Sequence, residues 1–387
     1  MTFPSPLAQP PQSSPTTPPP APAHRALPVP STSRGRVVLW VLAAVLAVVC
    51  AGLVAYMLTF LGAEAAIVAG LLALVPLTIV LFAIRLIDRW EPEPRGLVAF
   101  AVAWGAIAAV AIALAVDLLV VLVLGPVAVP DVISSVVQAP IVEEVAKGLG
   151  VLILFVAARR SFDGPVDGVV YGALVGAGFA FTENILYFAD SLLTGGAADA
   201  ATTFFLRGIL SPFAHVMFTA LIGYGVGLAA RAGLSRGAAL GPWLAGVVAG
   251  TVLHAFWNGS AMLADFFALY VTLQVPLFAL FILAIVLLRR EEARLTRERL
   301  GEYAAVGWFS PAEVEMLATP AGRSRAIAWA RTLPGDRAGL MRAFIREATS
   351  LAAARQRVVT GRDARAADDE RVYLERATRI RERLLAR

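Results

Sequence analysis

Residues 96–124 read GLVAFAVAWGAIAAVAIALAVDLLVVLVL. This run is apolar around every face of a helix and holds one ionisable residue, Asp117. A helix crossing a hydrocarbon core of ~30 Å needs about 20 mostly apolar residues. A buried helix of a soluble domain is shorter and carries a polar stripe. The run therefore reads as a membrane span. Seven more stretches read the same way: Val37–Leu61, Ala65–Ile87, Val132–Ala158, Val169–Ala189, Phe204–Ala230, Ala238–Met262 and Phe266–Leu288. Their sum appears in the composition, 58% hydrophobic and 16% charged over 387 residues. A soluble domain is about half apolar and about a quarter charged. The expected fold is an all-α integral membrane protein, a polytopic bundle of about eight transmembrane helices.

The loops orient the bundle. With the N-terminus inside, the inner segments carry Arg25, Arg34, Arg36, Arg85, Arg89, Arg95, Arg159, Arg160, Arg231, Arg236, Arg289 and Arg290. The outer loops carry Glu64, Asp131, Asp190, Asp199 and Asp265. Only Arg207, just inside the sixth span, breaks the alternation. Arginine on one side predicts both termini inside. The net charge of +5 then belongs to inner loops and tails, and no nucleic-acid partner is expected, since no basic motif interleaved with aromatics occurs. The single cysteine, Cys50, excludes an internal disulfide framework and a cysteine-rich metal site.

Three segments follow. Residues 1–36, rich in Pro, Ala, Ser and Thr, cannot bury enough surface to offset ordering entropy and read as a disordered cytoplasmic tail. Their length and prolines do not fit a cleaved leader, so the first span is expected to be an anchor. Residues 37–288 form the eight-span domain. Residues 289–387 read as an Arg-rich helical cytoplasmic segment. There Ser310-Pro311-Ala312-Glu313 is a capping box with Pro at the first helical position, and Leu340, Met341, Phe344 and Ile345 recur at helical spacing.

Polar residues inside spans need a reason, because a charge at the bilayer centre costs about 2.5–3.5 kcal/mol even on the lenient insertion scale. The fourth span holds Glu143, Glu144 and the only lysine of the chain, Lys147. Lys147 follows the two carboxylates by four and three residues, within reach of either on a helix. One carboxylate pairs with it and the other is left as a candidate general base. The fifth span contributes Glu183 and Asn184, the sixth His215 and Thr219, the seventh His254 and Asn258. At ~1.5 Å per residue from the outer end of each span, Glu143 and His215 lie ~17 Å deep, His254 ~12 Å and Glu183 ~9 Å. Four consecutive spans thus deliver carboxylates and imidazoles to one level of the membrane. Two uses suit such a set. One is a divalent metal, zinc by its donors, held by two histidines and a carboxylate, with its water deprotonated by a glutamate. The other is metal-free: Glu143 activates water, and His215, His254 and Asn258 stabilise an oxyanion.

Glu143-Glu144-x-x-Lys147, Phe179-Ala-x-x-Glu183-Asn184, His215-x-x-x-Thr219 and His254-x-x-Trp257-Asn258 resemble the PrsW family of intramembrane proteases. Asp167-Gly168-x-x-Tyr171-Gly172 and Arg207 resemble that family's pattern too. The family is similar in turn to the CAAX prenyl protease and bacteriocin-processing group. The resemblance covers Trp90 to Leu288. It implies hydrolysis of a peptide bond in a membrane-anchored protein substrate, in regulated proteolysis of the kind that acts on an anti-sigma factor, at a bacterial cell membrane. It implies a catalytic group of Glu143, Glu144, Lys147 and Asn258. It implies a metal or oxyanion group of His215 and His254, with Glu183 as a third ligand, a partner of a ligand or a structural polar group. The rival from another class is an ion- or proton-coupled transporter. Such carriers show repeated halves, and spans one to three hold no copy of the motifs.

Overall fold

A computed structural model describes residues 33–89, 92–125, 129–159, 162–263, 266–335, 337–361 and 366–386, with side chains from residue 41 on except at 263. All regular structure among the described residues is helical. The apolar stretches correspond to α1 (Ser33–Phe60), α2 (Ala63–Ile87), α3 (Arg95–Leu124), α4 (Ala139–Ala157), α5 (Pro165–Thr203), α6 (Ala214–Arg231), α7 (Leu240–Leu263) and α8 (Val275–Ala305). Of the expected disordered tail, residues 1–32 lie outside the described residues, and 33–36 already belong to α1.

Six helical runs are long and apolar enough to cross a membrane: Val41–Phe60, Ala63–Ile87, Arg95–Leu124, Pro165–Arg231, Leu240–Met262 and Phe266–Ala305. Two places account for the difference from eight stretches. Pro165–Arg231 spans 67 residues, about 100 Å if it were one straight helix. It is instead α5 and α6 packed against each other, with Gly196 at φ 73° inside α5. The other place is α4, helical like the rest but set apart by its three charged residues.

The chain divides into two compact units. In the first, residues 48–292, large apolar side chains face outward; Val48 and Leu122 are each 73% exposed. In water this surface would be an aggregation patch; in a bilayer it is the lipid-facing side. The interior gathers on α5, which packs on α2, α3, α4 and α6. Its packed residues include Phe155, Phe162, Tyr171, Leu174 and Val175.

A glycine seam sets the spacing of α5 and α6. Gly168, Gly172 and Gly176 lie one turn apart on one face of α5. A Cβ there would come within 2.1 Å of the Gly223 carbonyl oxygen, 2.4 Å of that of Thr219 and 2.4 Å of that of His215. Small residues at this spacing let two backbones touch, which brings His215 and Thr219 close to α5. At the start of α5, beside the seam, Asp167 Oδ2 accepts from the amides of Asp163 and Gly164 at 2.7 and 3.0 Å and so caps the helix, as its position suggests.

The second unit comprises residues 293–387 and the first 47. It contains α9 (Pro311–Ala318), α10 (Pro320–Thr332), α11 (Ala338–Val359) and α12 (Ala366–Leu385). The capping box forms as read: Glu313 N–H donates to Ser310 Oγ at 3.2 Å, and Ser310 N–H to Glu313 Oε2 at 2.8 Å. Met341, Phe344 and Ile345 are buried with Leu300, Tyr303, Leu351 and Leu374 in a core of this unit's own, while Leu340 packs at its edge. Arginines form its ion pairs, Arg355 with Glu302 at 2.6 Å and Arg381 with Glu313 at 2.5 Å among them.

Candidate active site

The fourth span enters the bundle through a wide turn. Over Ser134–Gln138 the backbone bonds run five residues back, so Ala139 N–H reaches Ser134 O. The same pattern would pair Ser135 O with the nitrogen of residue 140, but Pro140 has no N–H to give. The orphaned Ser135 carbonyl is met from α7 instead, by Asn258 Nδ2 at 2.9 Å. Wide turns of this kind concentrate at functional sites. A second one, Phe204–Leu210, carries Arg207.

Beyond Pro140, α4 brings Glu143, Glu144 and Lys147 into the interior, where Glu144 and Lys147 are fully buried and Glu143 is 8% exposed. Two indoles pin the helix on either side of Lys147: Trp104 Nε1 donates to Ala146 O at 3.0 Å, and Trp243 Nε1 to Gly148 O at 2.8 Å. Lys147 Nζ lies 2.6 Å from Glu144 Oε1, 3.4 Å from Glu143 Oε2 and 3.1 Å from His215 Nδ1, and 4.1 Å from the centroid of the Phe179 ring.

The two carboxylates have different surroundings. Glu144 is held by Lys147, by His254 Nδ1 at 3.0 Å and by Thr219 Oγ1 at 3.3 Å. Glu143 has the longer Lys147 contact, with His254 Nδ1 at 4.0 Å. The histidine tautomers follow from the partners. Lysine has only donors, so His215 Nδ1 accepts and Nε2 carries the proton that it gives to Glu183 Oε2 at 2.6 Å. His254 Nδ1 donates to Glu144, which leaves Nε2 as its basic nitrogen. The two rings meet edge to face at 5.0 Å, and Phe218 stacks on His254 at 4.7 Å.

Every site residue expected from the sequence lies in this region. Glu143, Glu144, Lys147, His215 and His254 form one connected cluster with Thr219. Glu183 joins it through His215 and is paired on its far side with Arg207. Arg207 Nε also donates to Asn184 Oδ1 at 3.0 Å, and the guanidinium lies 3.9 Å over the Tyr187 ring. Asn258 stands apart from the carboxylates, at Ser135. Asp117 accepts from Gln138 Nε2 at 2.8 Å. A cavity of about 310 Å³ opens onto His215, Glu183, Arg207, Asn184 and Asn258. Sequence reasoning missed the pairing of Glu183 with Arg207. Its one signal was an arginine on the wrong side of the charge alternation, which inside a span demands a partner.

A metal site can be tested on these donors. Glu143, His215 and His254 each offer an atom within 4.8 Å of the other two. Around a tetrahedral zinc such atoms stand about 3.4 Å apart, given metal–ligand bonds of about 2.1 Å. The donor types match a catalytic zinc set, and the donors would have to draw together by up to about 1.4 Å. The carboxylate in common reach of both imidazoles is Glu143, whereas Glu183 bonds the far nitrogen of His215.

Fold and site together define a class: a multi-pass membrane protein whose buried centre is built from glutamates and histidines on consecutive helices. Residues 93–284, just under half of the chain, match the family model described as PrsW family intramembrane metalloprotease. Among curated proteins it is similar to Protease PrsW of Geobacillus kaustophilus, 38% identical over 24% of this chain and 37% of that protein. Protease PrsW of Bacillus subtilis is 33% identical over 28% and 45%. That of Clostridioides difficile is 34% identical over 40% and 63%. The chain thus matches less than two thirds of the length of each of these bacterial relatives. No solved structure matches it significantly. The apolar helices and these relatives agree on a multi-pass bacterial membrane protein.

Proposed function

We propose that the protein is an intramembrane protease that hydrolyses a peptide bond of a membrane-anchored protein, with Glu143 as the carboxylate that activates water. The observation that carries this reading is the charge arrangement of the cluster. Glu144 is matched by Lys147, and Glu183 by Arg207. Glu143 is the third carboxylate for two permanent cations, and it keeps the partial exposure that Glu144 lacks. It takes a proton from water and returns it to the leaving amine. Lys147 holds it in place, and Glu144 with Phe218 orients His254. The basic nitrogen of His254 receives a proton and then, as an N–H, donates to the tetrahedral oxyanion, and Asn258 assists from the cavity wall. A divalent metal, when bound, would supply a polarised water and a Lewis acid; His215, His254 and one oxygen of Glu143 would hold it, the other Glu143 oxygen staying free to take the proton, with Glu183 on the second nitrogen of His215.

The helices cross the membrane eight times with both termini in the cytoplasm, and the natural role is regulated proteolysis of a signalling protein such as an anti-sigma factor. The family match and the buried Glu/His group support the protease over an ion- or proton-coupled transporter. The test compares membrane proteomes of cells carrying the wild type and Glu143→Gln, matched for expression and insertion. A single-pass protein processed only by the wild type is expected. Equal processing by the variant removes the role of Glu143; ion flux in proteoliposomes with no processed protein turns the reading to a carrier.

A further inference from the structure

Each histidine of the cluster has one ring nitrogen held by a carboxylate, His254 Nδ1 by Glu144 and His215 Nε2 by Glu183. Metal-ligating histidines are held in this way, which fixes the ring and leaves the other nitrogen to the metal. On His215 that other nitrogen is Nδ1, and it faces Lys147 Nζ at 3.1 Å. The same ammonium lies 3.4 Å from Glu143. Lys147 therefore contacts two of the three residues that offer donor atoms within 4.8 Å of one another.

We infer that Lys147 is a built-in cation that competes with a divalent metal for His215 and Glu143 and holds the zinc affinity of this site down. An ammonium at hydrogen-bonding distance from Nδ1 occupies the lone pair a metal needs. It also brings a like charge to the place a divalent ion would enter. Lys147 cannot simply withdraw, because it is fully buried and its alternative partner, Glu144, is buried with it. The cluster is thus arranged as a metal site in which an ammonium already occupies two of the donors. On this inference Glu183 is a positioning residue for His215 and not a ligand.

The inference shares its location with the proposed protease centre, but zinc alone reads it out. Full-length protein purified in detergent is titrated with zinc sulfate against a chelator of known affinity, and bound zinc is counted by elemental analysis. Lys147→Met is expected to bind one zinc at least tenfold more tightly than the wild type. Removing a single buried charge can unfold the protein, so the double variant Glu144→Gln Lys147→Met, which deletes both partners of the ion pair and keeps Glu143, His215 and His254, carries the same expectation. Adding His215→Ala is expected to abolish the gain. Equal or weaker binding by the folded variants overturns the inference, as does a gain that survives His215→Ala. The zinc titration is read without proteolysis, so its failure leaves the protease reading standing, and loss of that reading leaves the zinc result intact.

Discussion

Gly176→Ala tests whether the site is positioned by the α5–α6 seam. The added Cβ would stand 2.4 Å from the carbonyl oxygen of His215, 2.9 Å from its carbonyl carbon and 3.1 Å from Val216 Cα. These are backbone atoms, so no side chain can rotate away, and the helices must separate by about 1 Å to restore an ordinary contact. Overpacking of this kind costs about 1–3 kcal/mol. The same shift acts on the chemistry. His215 sits 2.6 Å from Glu183 on α5 and 3.1 Å from Lys147 on α4, and moving α6 by an ångström breaks hydrogen-bond geometry with one or both. Misplacement by 1 Å is able to cost about 100-fold in rate. The assay is processing of the substrate found in the membrane-proteome comparison, together with the thermal midpoint in detergent. Gly70→Ala on α2 is the control, since a Cβ there meets nothing within 4 Å. Wild-type turnover and an unchanged midpoint in Gly176→Ala would refute the argument that backbone contact at the seam places His215.

Further expectations follow from separate features. Lys147→Met alone should destabilise the protein by about 3–5 kcal/mol, because it leaves Glu144 buried without its cation; Glu144→Gln Lys147→Met should recover most of that loss, and a denaturation cycle in which the two changes simply add would contradict the pairing. Ser310→Ala should cost about 1 kcal/mol of helix stability at the start of α9, read as faster amide exchange over the first turn; unchanged exchange would mean the cap contributes nothing. At the end of α2, burial pushes the Asp88 carboxyl up to about 6, against the pull of the Glu93 amide and Arg289. The folded state then holds a proton that the unfolded chain, with a carboxyl pKa near 4, has already lost. Stability should therefore fall as pH rises from about 4 to about 6, and Asp88→Asn should flatten that step in the thermal midpoint; an identical pH profile in the variant would exclude Asp88 as its source.

Much of the fold is visible in residue order. Glycine-to-leucine runs such as 96–124 need no tertiary information to be recognised, because lipid selects for length and uniform apolarity, and both are properties of a single segment. The capping box at Ser310 and the cap at Asp167 are local for the same reason: three or four residues contain both partners. The candidate site was also visible as a set, since ionisable residues inside spans are costly enough to stand out. What the order of residues left open was which partner each one takes. Glu143 and Glu144 are adjacent and both lie within reach of Lys147 on a helix, and the packing of α6 and α7 separates them: Thr219 and His254 approach Glu144 and leave Glu143 the looser contacts. Glu183 stood open as a ligand, a partner of a ligand or a structural group, and in the fold Arg207, 24 residues away, reaches it from a wide turn that no local pattern announced.

The sequence by itself determined a helical membrane protein with its candidate site residues on α4 to α7, because hydrophobic length and the cost of intramembrane charge act segment by segment. The tertiary structure alone decided that Glu143 is the surplus carboxylate, that Glu183 holds the far side of His215 and that Lys147 lies among the donors. Those assignments depend on distances between helices, and these are set by backbone contact at the glycine seam and by the orphaned carbonyl at Ser135, neither of which exists until the helices pack.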